Sequence, residues 1–77
     1  MKEKKSIIGL YLGSFDPFHD GHMEVIEVML QFCDKIIVTA AKKNKSKPHL
    51  SPYDHRVALI KNYIMDNPNV YFEDSTP

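Results

Sequence analysis

The sequence has little of three things: cysteine, net charge and uninterrupted hydrophobic length. A single cysteine, Cys33, occurs in 77 residues. One thiol cannot close an internal disulfide, and this one lies inside an apolar pattern, so it reads as core filler in a reducing compartment. The formal net charge is +0. No field of one sign draws the whole molecule to nucleic acid or to an acidic membrane, and neither is expected as a partner. No apolar run approaches the roughly 20 residues needed to cross a bilayer. The charged start, Met1-Lys2-Glu3-Lys4-Lys5-Ser6, is not followed by a signal-length apolar stretch. Internal repeats and low-complexity tracts are absent too. The resulting expectation is a soluble cytoplasmic protein.

What is present suits a small globular domain. The hydrophobic share is 43% and the charged share 26%, which separates the chain from disordered sequences. A chain of this length makes one domain at most, with a modest core. Residues 7–12 are nearly all apolar and predict a short strand buried on both faces, as in parallel sheets. Gly13 ends it, and the Ser, Asp and Pro residues through Asp20 predict a structured loop. Residues 21–32 are helical in pattern. Glu24, Glu27, Gln31 and Asp34 recur at steps of three and four, opposite a stripe of Val25, Val28, Met29 and Phe32 widened by Ile26 and Leu30. Met23, Met29 and Phe32 are assigned to the core, and Asp20 is the predicted N-cap.

Residues 35–41 are β-branched and apolar, a second strand. Residues 42–50 form a polar loop with Lys42, Lys43, Lys45 and Lys47. Ser51, Pro52 and Asp54 together open a second helix: serine as cap, proline at the first helical position, an acid in the first turn. Val57, Ile60 and Ile64 supply its buried stripe, and Asn67-Pro68-Asn69 stops it. Val70-Tyr71-Phe72 is a third strand. The order β-α-β-α-β with short connections predicts an α/β fold, a Rossmann-like parallel sheet over residues 1–77, the first half of a doubly wound nucleotide-binding domain. Ligands in such folds sit beyond the carboxyl ends of the strands, which places the site at residues 13–22.

That loop carries the means to hold an anion. Gly13 allows close backbone approach. The following helix directs its free N–H groups and positive dipole end at the same spot. His19 precedes that helix and His22 sits in its first turn. Both imidazoles can donate to phosphate oxygens and gain charge near neutral pH, most readily with a bound polyphosphate. Ser14 adds a hydroxyl.

The run Gly13-Ser14-Phe15-Asp16-Pro17-Phe18-His19-Asp20-Gly21-His22 resembles the signature of the adenylyl- and cytidylyltransferase superfamily, whose hallmark is His-x-Gly-His after the first strand. Its Gly-Ser-Phe-Asp-Pro opening is similar to nicotinate/nicotinamide mononucleotide adenylyltransferases and to phosphopantetheine adenylyltransferases. The resemblance implies that a phosphate oxygen of an acceptor attacks the α-phosphorus of ATP, with Mg²⁺ bound and pyrophosphate leaving. It implies that His19 and His22 are the catalytic pair on the ATP phosphates. It implies too that Gly13, Ser14, Phe15 and Gly21 line the phosphate cleft, and that Lys47 meets the phosphates, a role open also to Lys45 or Lys43. A mononucleotide acceptor is ranked first and phosphopantetheine second, the latter favoured by residues 32–38 and the lysine loop. A cytidylyltransferase follows, then a nucleotide-binding module without catalysis.

Other residues read as structural. Asp16 is expected to bond its own loop backbone rather than a metal, and Arg56 to make an ion pair or serve its helix. A zinc site at the histidines would need further ligands. Family members are roughly twice this long, and nothing here matches the second half. The first strand is therefore expected to present an open apolar edge, completed by the missing half or by homo-oligomerisation, with little activity in the chain alone.

Overall fold

The computed structural model describes residues 6–43 and 48–74. Five elements follow one another: β1 (Ile8–Gly13), α1 (Asp20–Met29), β2 (Lys35–Ala40), α2 (Tyr53–Ile64) and β3 (Val70–Phe72). The strands form one sheet in the order β1-β2-β3, parallel throughout. The expected α/β architecture is therefore present, and its strands lie within one residue of their predicted bounds.

Register fixes the two faces of the sheet. Gly9, Tyr11 and Gly13 of β1 pair with Ile36, Val38 and Ala40 of β2, and Ile36 and Val38 pair in turn with Val70 and Phe72. Side chains alternate along a strand, so these residues share one face. Both crossovers step the same way across the sheet, and two right-handed crossovers of that kind set both helices on one side. The core lies there: Ile26 from α1 and Ile60 and Ile64 from α2 are buried with Ile36, Val38, Ala40 and Val70.

The opposite face differs from expectation. Ile8, Leu10 and Leu12 are 58%, 66% and 61% exposed, where burial on both faces was predicted. Apolar composition called for two covering layers, and only one is supplied by the described residues.

The helix α1 also differs in detail. It ends at Met29, so Phe32 falls in the turn beyond it and is 71% exposed rather than in the core. Extrapolating the helical period past the true end misplaced that ring. The buried stripe runs through Met23, Ile26, Leu30 and Cys33, which pack in or against the core, while Val25 and Val28 face outward. Cys33 is thus a packing residue, as read. In α2, Ile60 and Ile64 are buried as expected, while Val57 is only half-buried and Leu59 and Tyr63 pack against the core beside them.

Candidate active site

The loop between β1 and α1 is pinned at two points three residues apart. Phe15 and Phe18 are 4% and 1% exposed, with ring centroids 5.2 Å from each other. Phe15 takes a left-handed backbone, φ 52°, a conformation that costs a non-glycine residue on the order of 1–2 kcal/mol. Burial of its ring offsets that cost and turns the chain sharply away from the sheet. Gly13 serves this turn. A Cβ there would lie 3.0 Å from the Phe15 ring, so the absent side chain makes room for the loop's own aromatic anchor.

His22 sits in the angle between the two anchors. It stacks on Phe18 at 5.0 Å and 25° and meets Phe15 edge-on at 5.0 Å and 89°. Its Nδ1 accepts the backbone N–H of His19 at 3.0 Å. The His19 Nδ1 in turn accepts the backbone N–H of Gly21 at 3.0 Å. His19 is therefore the N-cap of α1, and the two imidazoles close a reciprocal capping box, a role usually filled by Ser or Thr with Glu or Gln. Asp20, the predicted cap, sits one residue inside the helix instead. Its carboxylate reaches the hydroxyl of Tyr63 and, after burial, helps raise that group's pKa above its ordinary 10.0. An unprotonated ring nitrogen is as good an acceptor as a carboxylate oxygen, and the cap fell to the residue whose backbone is extended, φ −149°.

This arrangement revises the electrostatics. The N–H groups of Gly21, His22 and Met23 are already engaged, by the His19 ring and the His19 carbonyl, so they are not the open donors predicted for the helix end. Accepting at Nδ1 leaves each ring protonated at Nε2. The capping box thus holds the two imidazoles side by side, with ring centroids 4.0 Å apart. A second proton would have to enter at Nδ1 and break the cap. Consistently, burial and then the charge of His19 push the His22 pKa below its ordinary 6.5. The expectation that these rings gain charge easily is corrected for His22.

Gly13, Ser14, Asp16, His19 and His22 line a cavity of about 400 Å³ at the carboxyl end of β1, shared with Tyr11 and Phe15. Gly21 stands just behind, where a Cβ would come within 2.9 Å of the His19 ring. Asp16 has a structural role, as expected, and one of its bonds reaches beyond its own loop. Its carboxylate accepts the N–H of Ser51 at 2.9 Å and ties the loop to the start of α2. Ser51 is consequently not the cap of α2. That position belongs to Pro52, with no side-chain hydrogen bond. Arg56 makes no ion pair in the contacts observed; it is buried and donates to four backbone carbonyls. Among the lysines, Lys42 pairs with Asp74 at 3.5 Å, an exposed contact of small energetic weight. Lys45 and Lys47 lie outside the described residues. No group of three His, Cys, Asp or Glu side chains able to hold a metal occurs among the described residues. Nor is any described helix long and apolar enough to cross a membrane. Sequence reasoning missed Phe18, the platform under His22; its spacing of three from Phe15 within the motif was the available signal.

The comparisons with known proteins bear on this geometry. The cytidylyltransferase-like family model matches residues 10–76. The chain belongs to the cytidylyltransferase-like family. Within it, the chain is 50% identical over 60 residues to the phosphopantetheine adenylyltransferase of Geotalea daltonii, covering 78% of this chain and 37% of that protein. It is 41% identical over 63 residues to the phosphopantetheine adenylyltransferase of Desulforamulus reducens, covering 82% and 38%. A bifunctional NMN adenylyltransferase/ADP ribose pyrophosphatase from Francisella tularensis shares the fold with a TM-score of 0.68 and 26% identity, covering 91% of this chain and 22% of that one. The chain therefore spans a little over a third of the length of these curated relatives, 37% and 38%.

Proposed function

We propose that the chain supplies the nucleotide-binding half of an adenylyltransferase that moves AMP from ATP to the phosphate of phosphopantetheine, releasing pyrophosphate. The observation that carries this is the capping box that engages Nδ1 of His19 and His22, which makes Nε2 the donor atom of each ring, beside a cavity of about 400 Å³. The phosphopantetheine acceptor replaces the mononucleotide ranked first from sequence. Relatives at 50% and 41% identity are phosphopantetheine adenylyltransferases, whereas the mononucleotide adenylyltransferase likeness stands at 26%.

The chemistry asked of the protein is positioning and charge stabilisation. A phosphate oxygen of the acceptor attacks the α-phosphorus, and the bond to the β-phosphate oxygen breaks. Negative charge spreads over the α-phosphate and the departing pyrophosphate. Neutral imidazole donors suit that charge because they are fixed before the reaction and need no reorganisation. Gly13, Ser14, Phe15 and Gly21 shape the cleft, and Lys47 adds a cation from the loop after β2. Mg²⁺ would arrive on the triphosphate and neutralise its oxygens; the donor set here, two capped imidazoles and one engaged carboxylate, fits a phosphate ligand better than a resident cation. The open edge of β1 and its exposed apolar face support completion of the cleft by a further segment or a second copy.

Pyrophosphate release from ATP, measured with phosphopantetheine and with nicotinamide mononucleotide in the protein that carries this sequence, tests the reading. Turnover with phosphopantetheine alone is expected. Replacing His22 with Ala should lower it by about 10²–10³, the usual effect of removing one such donor. Turnover with the mononucleotide, or an undiminished His22→Ala variant, would overturn it.

A further inference from the structure

Arg56 is the one buried charged or polar residue among those described, 2% exposed. Its guanidinium reaches three separate stretches of chain. Nε donates to the Ser51 carbonyl at 2.9 Å. Nη1 donates to the Ser14 carbonyl at 2.8 Å and to the Ala41 carbonyl at 2.7 Å. Nη2 donates to the Lys42 carbonyl at 3.3 Å. The ring of Tyr53 lies 5.5 Å away and closes the group off from one side.

The identity of the acceptors is informative. Ser14 is the first residue past β1, Ala41 and Lys42 are the first two past β2, and Ser51 precedes α2. No acceptor lies inside a helix or strand. Such carbonyls have no ladder partner to hold them, and without a donor they would take water and drift. A planar fork with fixed angles sets their mutual distances as well as satisfying them. Of these residues Ser14 lines the cleft itself, and the others tie its loop to the end of β2 and the start of α2.

We propose that Arg56 is the positioning residue of the phosphate cleft: from beneath, it fixes the separation between the loop that carries His19 and His22 and the loop that leaves β2. The proposal rests on the phosphate reading for its purpose but not for its geometry. It touches no substrate. It acts through the backbone of Ser14 and of Ala41-Lys42, so that the loop bearing His19 and His22 is held at a set spacing from the end of β2. Lysine cannot replace it, because one nitrogen on a flexible stem cannot span three stretches of backbone.

Amide hydrogen exchange in the 77-residue chain tests this without any ligand. The Ala41 N–H, bonded to the Gly13 carbonyl at 2.9 Å, reports the cleft end of β2; the Ile36 N–H, bonded to the Asn69 carbonyl at 2.9 Å, reports the opposite end. In Arg56→Lys, exchange at Ala41 should rise by about tenfold while Ile36 stays within about twofold, the signature of local opening. Affinity for inorganic tripolyphosphate should fall by about tenfold as the pre-organised spacing is lost. Equal acceleration at both amides, or no change at Ala41, would overturn the proposal. Should Arg56→Lys fail to fold, the unaltered protein decides. Arg56 Nη resonances that are separate and slowly rotating, shifting with the Ser14 and Lys42 amides as tripolyphosphate is added, support it. A single averaged line that ignores the titration sinks it. A loosened Ala41 in a variant of a chain that never binds tripolyphosphate would leave the positioning role standing and refute the phosphate reading instead.

Discussion

The Nδ1 atom of His22 accepts the backbone N–H of His19 at 3.0 Å, and that bond exists only while the ring nitrogen is unprotonated. Acid must therefore act on the helix cap. The His22 pKa lies below its ordinary 6.5 in the folded chain, through burial first and the neighbouring His19 charge second. A depressed histidine pKa means that the folded state holds fewer protons than the unfolded one. The contribution to stability is complete above the unfolded value and is lost as pH falls from there through the folded value. The thermal midpoint should be level from about pH 8 to about pH 7, then decline toward about pH 5, before carboxylates dominate. His22→Asn, whose side-chain oxygen can accept the same N–H at any pH, should flatten that decline. An unchanged slope in the variant would assign the acid sensitivity elsewhere.

Gly21 lies behind the same cap. A Cβ there would meet His19 Cε1 at 2.9 Å and Nδ1 at 3.1 Å, so Gly21→Ala must rotate the His19 ring out of place. Two opposed effects of known size then decide the outcome. Alanine in place of glycine favours a helix by up to about 1 kcal/mol, while loss of an N-cap bond costs typically about 1 kcal/mol. Stability should change little, whereas tripolyphosphate affinity should drop sharply because one imidazole donor is displaced. Calorimetric titration beside a denaturant melt checks this. A stable variant with full affinity would remove His19 from the site.

The strands and the site loop were legible because their signals are local. Residues 70–72 read as a strand and form β3, and Ile60 and Ile64 read as core and are buried. The bonding partners of Arg56 and Asp16 and the capping role of His19 were not legible, for one shared reason. Each depends on a backbone atom brought near by the fold: the Ser14 and Ala41 carbonyls for Arg56, and the Ser51 N–H for Asp16. For His19 it depends on an extended conformation that moved the cap one residue upstream. Side-chain type constrains what a residue can bond, but not which distant carbonyl arrives. The exposure of Leu10 and Leu12 escaped the same way, since a strand's composition states how many layers it suits and not how many are present.

Phe15 combines a strained backbone with a buried ring, and the two make opposite predictions for its replacement. Its φ of 52° would relax in Phe15→Gly, a gain on the order of 1–2 kcal/mol reduced by the greater freedom of glycine in the unfolded chain. The ring, 4% exposed and in contact with Tyr11, Phe18 and His22, is worth about 3–5 kcal/mol when deleted. Packing should prevail. Phe15→Gly and Phe15→Ala should both lower the denaturant midpoint heavily, with the glycine variant level with or slightly above the alanine one. A glycine variant as stable as the unaltered chain would show that strain, not packing, governs this turn.

Leu10 stands at the centre of the uncovered sheet face, 66% exposed between Ile8 and Leu12 at 58% and 61%, and beside Ile37 in register. These side chains sit on β1, the edge strand of the described sheet, where unpaired N–H and C=O groups invite another strand. Apolar surface on an open edge drives association, and lysine is the residue that natural edges use to prevent it. Leu10→Lys removes little burial, so folding stability should move by no more than about 0.5 kcal/mol. Self-association should fall much further, because each contact across the face would bury an ammonium group. Sedimentation velocity over a concentration series would show the unaltered chain shifting to larger species and Leu10→Lys remaining monomeric, with matching thermal midpoints. Identical sedimentation of the two, both monomeric at the highest concentration, would show that this face does not associate and that the cleft's second wall has another source.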